Sequence, residues 1–259
     1  MAMQDRDSTQ ARSLGWDISY HPVAADEIRS LYFDGLDDAQ HAGTLQRRFG
    51  INTAVHGRLQ QCLHEARQIG ASLPFHKGHA FLLAVVAGFV RGHHYIRGGA
   101  FSFLAEDAVM KRYIGDWQAL IPAPLQFLEI SNRLAGNCSG GAYLPLPSLR
   151  AIRRDYYRQP HVRHCMDEVF SQGRLVVFWQ ALDDAIRQGM GLLEASGVVQ
   201  PNPFNLAASR SLADMDNCHP EGLRLYAQAA ADQLGRALDA NRHSLPLLGA
   251  DWPSGPSVK

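Results

Sequence analysis

The sequence predicts a mainly α protein: a multi-helix domain around a single core, with a small two- or three-stranded accessory sheet. Three observations carry that expectation. Apolar residues recur at three- and four-residue spacing over three long segments, whereas only two short stretches alternate as strands do. At 259 residues the chain is long enough to bury a large core. Hydrophobic residues make up 46% of it and charged residues 19%, a globular balance that excludes a disordered chain.

Taken in order, residues 1–13 are polar and mixed in charge, are expected to be disordered, and lack the apolar run of a secretory signal. "GWDISYHPV" sets Trp16, Ile18 and Tyr20 against polar neighbours, which predicts a strand. A short helix is expected over 24–33. Over 52–69, Val55, Leu59, Cys62, Leu63, Ala66 and Ile69 share a helical face, with Asn52 or Thr53 as cap and Gly70 as stop. Residues 80–90 are apolar on nearly every side and predict a buried helix. That run is about half of the roughly 20 residues a membrane helix needs. "HYIRGGAFSF" predicts a hairpin turning at Gly98 and Gly99.

Short helices are expected over 106–113, 125–134, 148–158 and 161–170. A long one is expected over 174–195, where Leu175, Phe178, Trp179, Leu182, Ile186, Met190 and Leu193 repeat the helical spacing. Residues 197–207 have linker composition but are expected to lie within one unit. A last long helix should open at Pro220, a favoured first-turn residue, and bury Leu223, Tyr226, Ala230, Leu234 and Leu238. Residues 14–248 then form the expected single helical domain, and 249–259 a loose tail.

Composition bounds the partners. Net charge is zero, with a pI near 7.2, so no global field recruits nucleic acid or an anionic membrane. Cys62, Cys138, Cys165 and Cys218 lie far apart with no C-x-x-C pair, which is no disulfide framework. A soluble, reducing, cytoplasmic setting is the expectation.

Three places carry candidate chemistry. "PFHKGHAFLLAVVAGFVRGHHYIRGG" sets His76 and His79 at one end of the apolar segment and His93 and His94 at the other. His76 and His79, three apart, share a helical face and can ligate one divalent metal ion or accept a proton. A straight helix holds His93 and His94 roughly 25 Å away from them. "PFHKGH" also resembles the H-x-G-H signature of nucleotidyltransferases, a resemblance of about six residues that would set His76 and His79 against nucleotide phosphates. That family places the motif after an apolar strand, whereas here a helix precedes it.

"GNCSG" fits the G-x-C-x-G elbow of some α/β-hydrolases and makes Cys138 a candidate nucleophile; an expected helix precedes it, and Pro145 and Pro147 obstruct a helix straight after it. "SLRAIRRDYYRQPHVRH" repeats Arg150, Arg154 and Arg158 every four residues, a basic helical face suited to an anionic partner. Asp183 and Asp184 read as the polar face of their helix, and Asp214, Asp216, Asn217 and His219 as the approach to a helix start. The candidate catalytic residues are therefore His76, His79 and Cys138, and the candidate ligand-binding residues Arg150, Arg154, Arg158, His93 and His94.

No specific catalytic signature stands out, so the expected function is a binding or regulatory module for a protein or a small anionic ligand. The alternative is a helical enzyme, or a metal or anion binder, with a pocket lined by His76, His79, His93 and the Cys138 loop.

Overall fold

The computed structural model describes residues 15–244; the segments 1–13 and 249–259 lie outside them. Seven strands are present among the described residues: β1 (Asp17–Val23), β2 (His93–Arg97), β3 (Ser139–Leu144), β4 (Gly191–Ser196), β5 (Val199–Gln200), β6 (Arg210–Ser211) and β7 (Cys218–His219). The longer helices are α1 (His41–Phe49), α2 (Thr53–Arg67), α3 (His79–Val90), α4 (Leu146–Arg158), α5 (Pro160–Val169), α6 (Arg174–Arg187) and α7 (Pro220–Ser244). The strands form a five-stranded mixed sheet in the order β3-β4-β1-β2-β7, and β5 pairs with β6 in a separate ribbon. β1 runs antiparallel to both β2 and β4, with Tyr20 opposite His94 on one side and Glu194 on the other.

The mainly α expectation is thereby corrected: the fold is α/β, and its sheet is the central layer. On one face Val23, Tyr143, Leu193 and Ala195 pack with α2 and α3. On the other, Ile18, Tyr20, Ile96, Ala142, Leu144 and Leu192 pack with α4, α5 and α6. A sheet covered on both faces buries every strand position, so its strands lose the alternation that marks a half-exposed one.

β4 is the clearest case. All six of its residues are buried, and Leu193 continues the apolar spacing of the helix before it. The helix expected over 174–195 in fact ends at Arg187, where Gly189 turns the chain at φ +72°. β3 was hidden by its glycines. Each is required by a close approach: a Cβ at Gly140 would lie 2.6 Å from Ala80 Cβ of α3, and one at Gly141 would meet the carboxylate of Glu194.

Other elements agree or differ for local reasons. Asn52 caps α2 by accepting from Ala54 N at 2.9 Å, and Leu59, Cys62, Leu63 and Ala66 are buried as the pattern predicts. The helix expected over 125–134 is absent, and only a 3-10 turn forms there, at Ala123–Leu125. Residues 106–113 likewise narrow to the 3-10 turn Met110–Tyr113. No hairpin turns at Gly98 and Gly99; β2 pairs with β1 instead, and Phe101–Leu104 is a 3-10 turn. α7 buries Leu223 but leaves Leu234 and Leu238 half exposed, since its second half runs past the core. All four cysteines are free, and no helix among the described residues is long and apolar enough to cross a membrane.

One charge sits at the centre of the sheet. Glu194 is fully buried, and its Oε2 accepts from Ser102 N at 3.1 Å and lies 3.1 Å from the Tyr20 hydroxyl. That hydroxyl in turn accepts from Phe101 N at 2.9 Å. Burial pushes the Glu194 carboxyl up to about 6, against the hydrogen bonds that favour its ionised form. A raised acid binds its proton more tightly in the folded state, so its contribution to stability is present below about pH 4.5 and lost as pH rises through about 6. Glu194→Gln should remove this term: the wild-type minus variant stability, from denaturant melts, should fall by roughly 2 kcal/mol between pH 4 and pH 7. A constant difference would show that the fold does not raise the Glu194 carboxyl.

Two glycines of α7 make a second test. A Cβ at Gly222 would lie 1.6 Å from the carbonyl oxygen of Tyr95, whereas nothing lies within 4 Å of one at Gly235. Gly222→Ala should therefore lower the melting temperature by prising α7 off β2, at a cost of about 1–3 kcal/mol. Gly235→Ala should raise stability by about 0.5–1 kcal/mol through helix propensity alone.

Candidate functional site

The two ends of α3 prove to be separate environments. At its N-terminus His79 is buried, and its Nδ1 lies 2.9 Å from the Tyr32 hydroxyl among Phe33 and Phe75. Burial pushes the His79 imidazole down to about 4. His76 sits in the 3-10 turn Phe75–Lys77 ahead of the helix, also buried, and desolvation lowers it as well. The two do not join a three-ligand cluster among the described residues. Gly78 is accounted for by packing, since a Cβ there would meet Ile69 and Leu73 at 3.1 Å.

The Cys138 loop does reach this end. The Lys77 ammonium donates to the carbonyl oxygens of Ala135 and Asn137, and Gly140 lies against Ala80. Cys138 is exposed and left-handed at φ +55°, directly before β3 rather than between a strand and a helix, so the hydrolase elbow is not formed. No histidine contacts its sulfur among the described residues. The pocket expected from His76, His79, His93 and the Cys138 loop therefore does not close: His93 belongs to the far end of α3, about 18 Å along a helix of this length.

At that far end, His93 is completely buried and stacks on His21 at 4.8 Å, while His21 Nε2 bonds Ser19 Oγ at 2.8 Å. Burial pushes His93 down to about 3. His94 points to the opposite face, where its Nε2 lies 2.8 Å from Asp184 Oδ2 of α6, and its ring stacks on His219 at 4.1 Å. The His94 ring is also held near 3, first by burial and then by the neighbouring His219.

The arginine face of α4 is exposed at Arg150, Arg154 and Arg158. Arg154 Nε pairs with Asp155 Oδ1 at 2.8 Å, and Asp155 is a buried carboxylate that also accepts from Tyr113 at 2.8 Å. Arg153 is bound to Asp183 at 3.0 Å and lies over Trp179.

A cleft of about 240 Å³ opens where β2, the start of α6 and α7 meet. Its floor is apolar, with Ile96, Leu225 and Ala229, and its polar walls are Arg97, Arg174, Gln172 and Tyr226. Arg97 is paired with Asp17 at 2.6 Å and lies 5.1 Å from the centre of the Tyr226 ring. Arg174 is different. It is 7% exposed, its Nη2 donates to Gln172 Oε1 at 2.7 Å, and no carboxylate lies within ion-pair distance of it among the described residues. Burial alone lowers its guanidinium from the ordinary arginine range. No nitrogen of Arg174 is both sealed from solvent and without a hydrogen-bond partner, and the residue lines the cleft.

The local backbone sets this up. Gln172 and Gly173 are both left-handed, at φ +59° and +82°, and the turn they make delivers Arg174 as the first residue of α6. A left-handed glutamine costs of the order of 1 kcal/mol, and such strain gathers where a side chain must be aimed. The start of α6 adds the partial positive charge of a helix N-terminus. The sequence shows Arg174 only as the opening of a helix; the signal that points to it is the Gln172-Gly173 pair ahead of an arginine at a helix start. No protein family, curated protein or solved structure matches this chain.

Proposed function

We propose that the protein is a binding module, regulatory or accessory in role, that captures a small oxyanion (a carboxylate or phosphate group) in the cleft between β2, α6 and α7. The observation that carries this reading is Arg174: a cation 7% exposed, with no carboxylate partner among the described residues, lining a cleft. A buried charge without a counter-charge is destabilising, and removing a structural partner from such a pair costs several kcal/mol. An oxyanion supplies the missing charge, and the guanidinium fork matches its paired oxygens. Arg97 and Tyr226 line the same cleft, and its apolar residues Ile96, Leu225 and Ala229 accept a short hydrocarbon body. The volume lies below the roughly 300 Å³ at which pockets for drug-sized ligands begin, so the ligand is small. Four free thiols favour a reducing setting such as the cytoplasm as its place of work.

The arginine face of α4 is a weaker candidate for the same role, because Arg154 already serves the buried Asp155. Titration of the purified protein with inorganic phosphate and with citrate, followed by calorimetry and thermal melting, tests the reading. Saturating anion at 100 times its dissociation constant should stabilise the fold by about 2.7 kcal/mol. Arg174→Met should abolish that gain and leave the ligand-free protein as stable as wild type or more so, because an uncompensated buried charge is gone. Arg150→Ala should bind as wild type does. A large loss of stability in Arg174→Met, or undiminished anion binding by it, would overturn the assignment.

A further inference from the structure

We infer that His94, Asp184 and His219 form a binding site for a divalent transition-metal ion of the zinc class, separate from the arginine cleft. Three elements bring the donors together. His94 lies on β2, and Asp184 is ten residues along α6 from Arg174. His219 lies on β7, whose two residues pair in parallel with His93 and His94 immediately before α7 begins. The two imidazole rings are stacked, parallel to within 6° at 4.1 Å, with their Nε2 atoms 2.8 and 3.6 Å from the same oxygen, Asp184 Oδ2. The more exposed His219 ring must swing out of the stack to aim its in-plane lone pair at the shared ion. Donor atoms around one tetrahedral zinc ion lie roughly 3.3 Å apart, given bonds of about 2.0–2.1 Å. The observed separations bracket that value.

The surroundings suit a metal rather than a lone hydrogen bond. The Asp184 carboxylate is already oriented by Arg187, which pairs with the other oxygen, Oδ1, and leaves Oδ2 for the imidazoles. Such outer contacts are what hold metal ligands in place. Glu221, two residues beyond His219 and paired with Arg224, adds negative charge that acts on His94 and offsets the positive charge of Arg187 there. Gly92 keeps the donor side of His219 clear, since a Cβ there would lie 2.8 Å from its Nε2. His219 is 44% exposed, which leaves an approach for the ion and room for water as a fourth ligand. Two imidazoles and one carboxylate select zinc, cobalt, nickel or iron(II) over magnesium or calcium, which prefer oxygen donors.

A second cluster, Asp107, His161 and Cys165, has three donor atoms at similar spacing but is less free. Asp107 Oδ1 already caps Val109 N and Met110 N at 2.9 Å, and burial raises the Cys165 thiol, which disfavours the thiolate that a metal needs. It serves as the internal control.

The test is titration of chelator-treated full-length protein with Zn²⁺ by calorimetry and with Co²⁺ by visible absorption. One ion should bind per chain, with the ligand-field bands of a nitrogen–oxygen site and shifts of two imidazole ¹⁵N resonances. His219→Ala, at an exposed position, should melt close to wild type yet bind Zn²⁺ at least roughly tenfold more weakly; Asp184→Asn should do the same, and His161→Ala should bind normally. Phosphate binding should be unchanged in His219→Ala, which separates this site from the arginine cleft. Absence of saturable binding by wild type, or full affinity in His219→Ala, would overturn the assignment, as would loss of the ion in His161→Ala.

Discussion

The structure depends on one constraint: β1 lies between β2 and β4 in a sheet covered on both faces, so from Ile18 to Val23 it is buried. Yet its middle is polar. Ser19, Tyr20 and His21 are consecutive and wholly buried. Each must find its partner inside the protein, because an unpaired polar group in such a place costs about 1–3 kcal/mol. Ser19 and His21 bond to each other on one face, and Tyr20 and Glu194 do so on the other. The glycines of β3 and the 3-10 turn at Phe101–Leu104 follow from the same demand. Gly141 makes room for the Glu194 carboxylate, and the turn brings the N–H groups of Phe101 and Ser102 onto Tyr20 and Glu194.

Polar groups with capacity to spare then collect at the seam where β2, α6 and α7 meet. The close approach of Gly222 to the Tyr95 carbonyl seats α7 on β2 and makes that helix a wall. Along this seam β2 and α6 offer two kinds of chemistry, about 15 Å apart, the length of ten helical residues of α6, with α7 completing one and β7 the other. Near Arg174 the fold presents positive charge in excess of its own carboxylates. Near Asp184 it presents imidazoles and carboxylates. An oxyanion and a metal ion complement these ends without competing for a side chain.

Much of the fold's helical half was legible in the residues. The α2 face, the apolar α3, the α4 and α5 segments and the Pro220 start all follow from periodicity and capping. Of the sheet, β1 and the β2 stretch were legible, but β3 and β4 were not, for a physical reason: β4 carries on the apolar pattern of α6, while β3 is built around glycines whose necessity lies in residues far away in the chain. The candidate sites fared similarly. His94 was visible as a histidine, but its partners Asp184 and His219 come from 90 and 125 positions on, and only the β2–β7 pairing and the α6 packing unite them. Arg174 was invisible as a site because its distinction is an absence of counter-charge, which no local pattern encodes.

The central claim is that Arg174 is a cation kept waiting for an anion, and guanidinium ¹⁵N NMR reads that directly. In ligand-free protein the Arg174 side chain should give a resolved signal whose C–N rotation is only partly restrained, by its single bond to Gln172. Adding phosphate should shift that signal and slow its rotation at the same concentrations that saturate the calorimetric isotherm, with Arg97 the next most affected. Phosphate that moves the signals of Arg150 and Arg158 and leaves Arg174 unchanged would contradict the account.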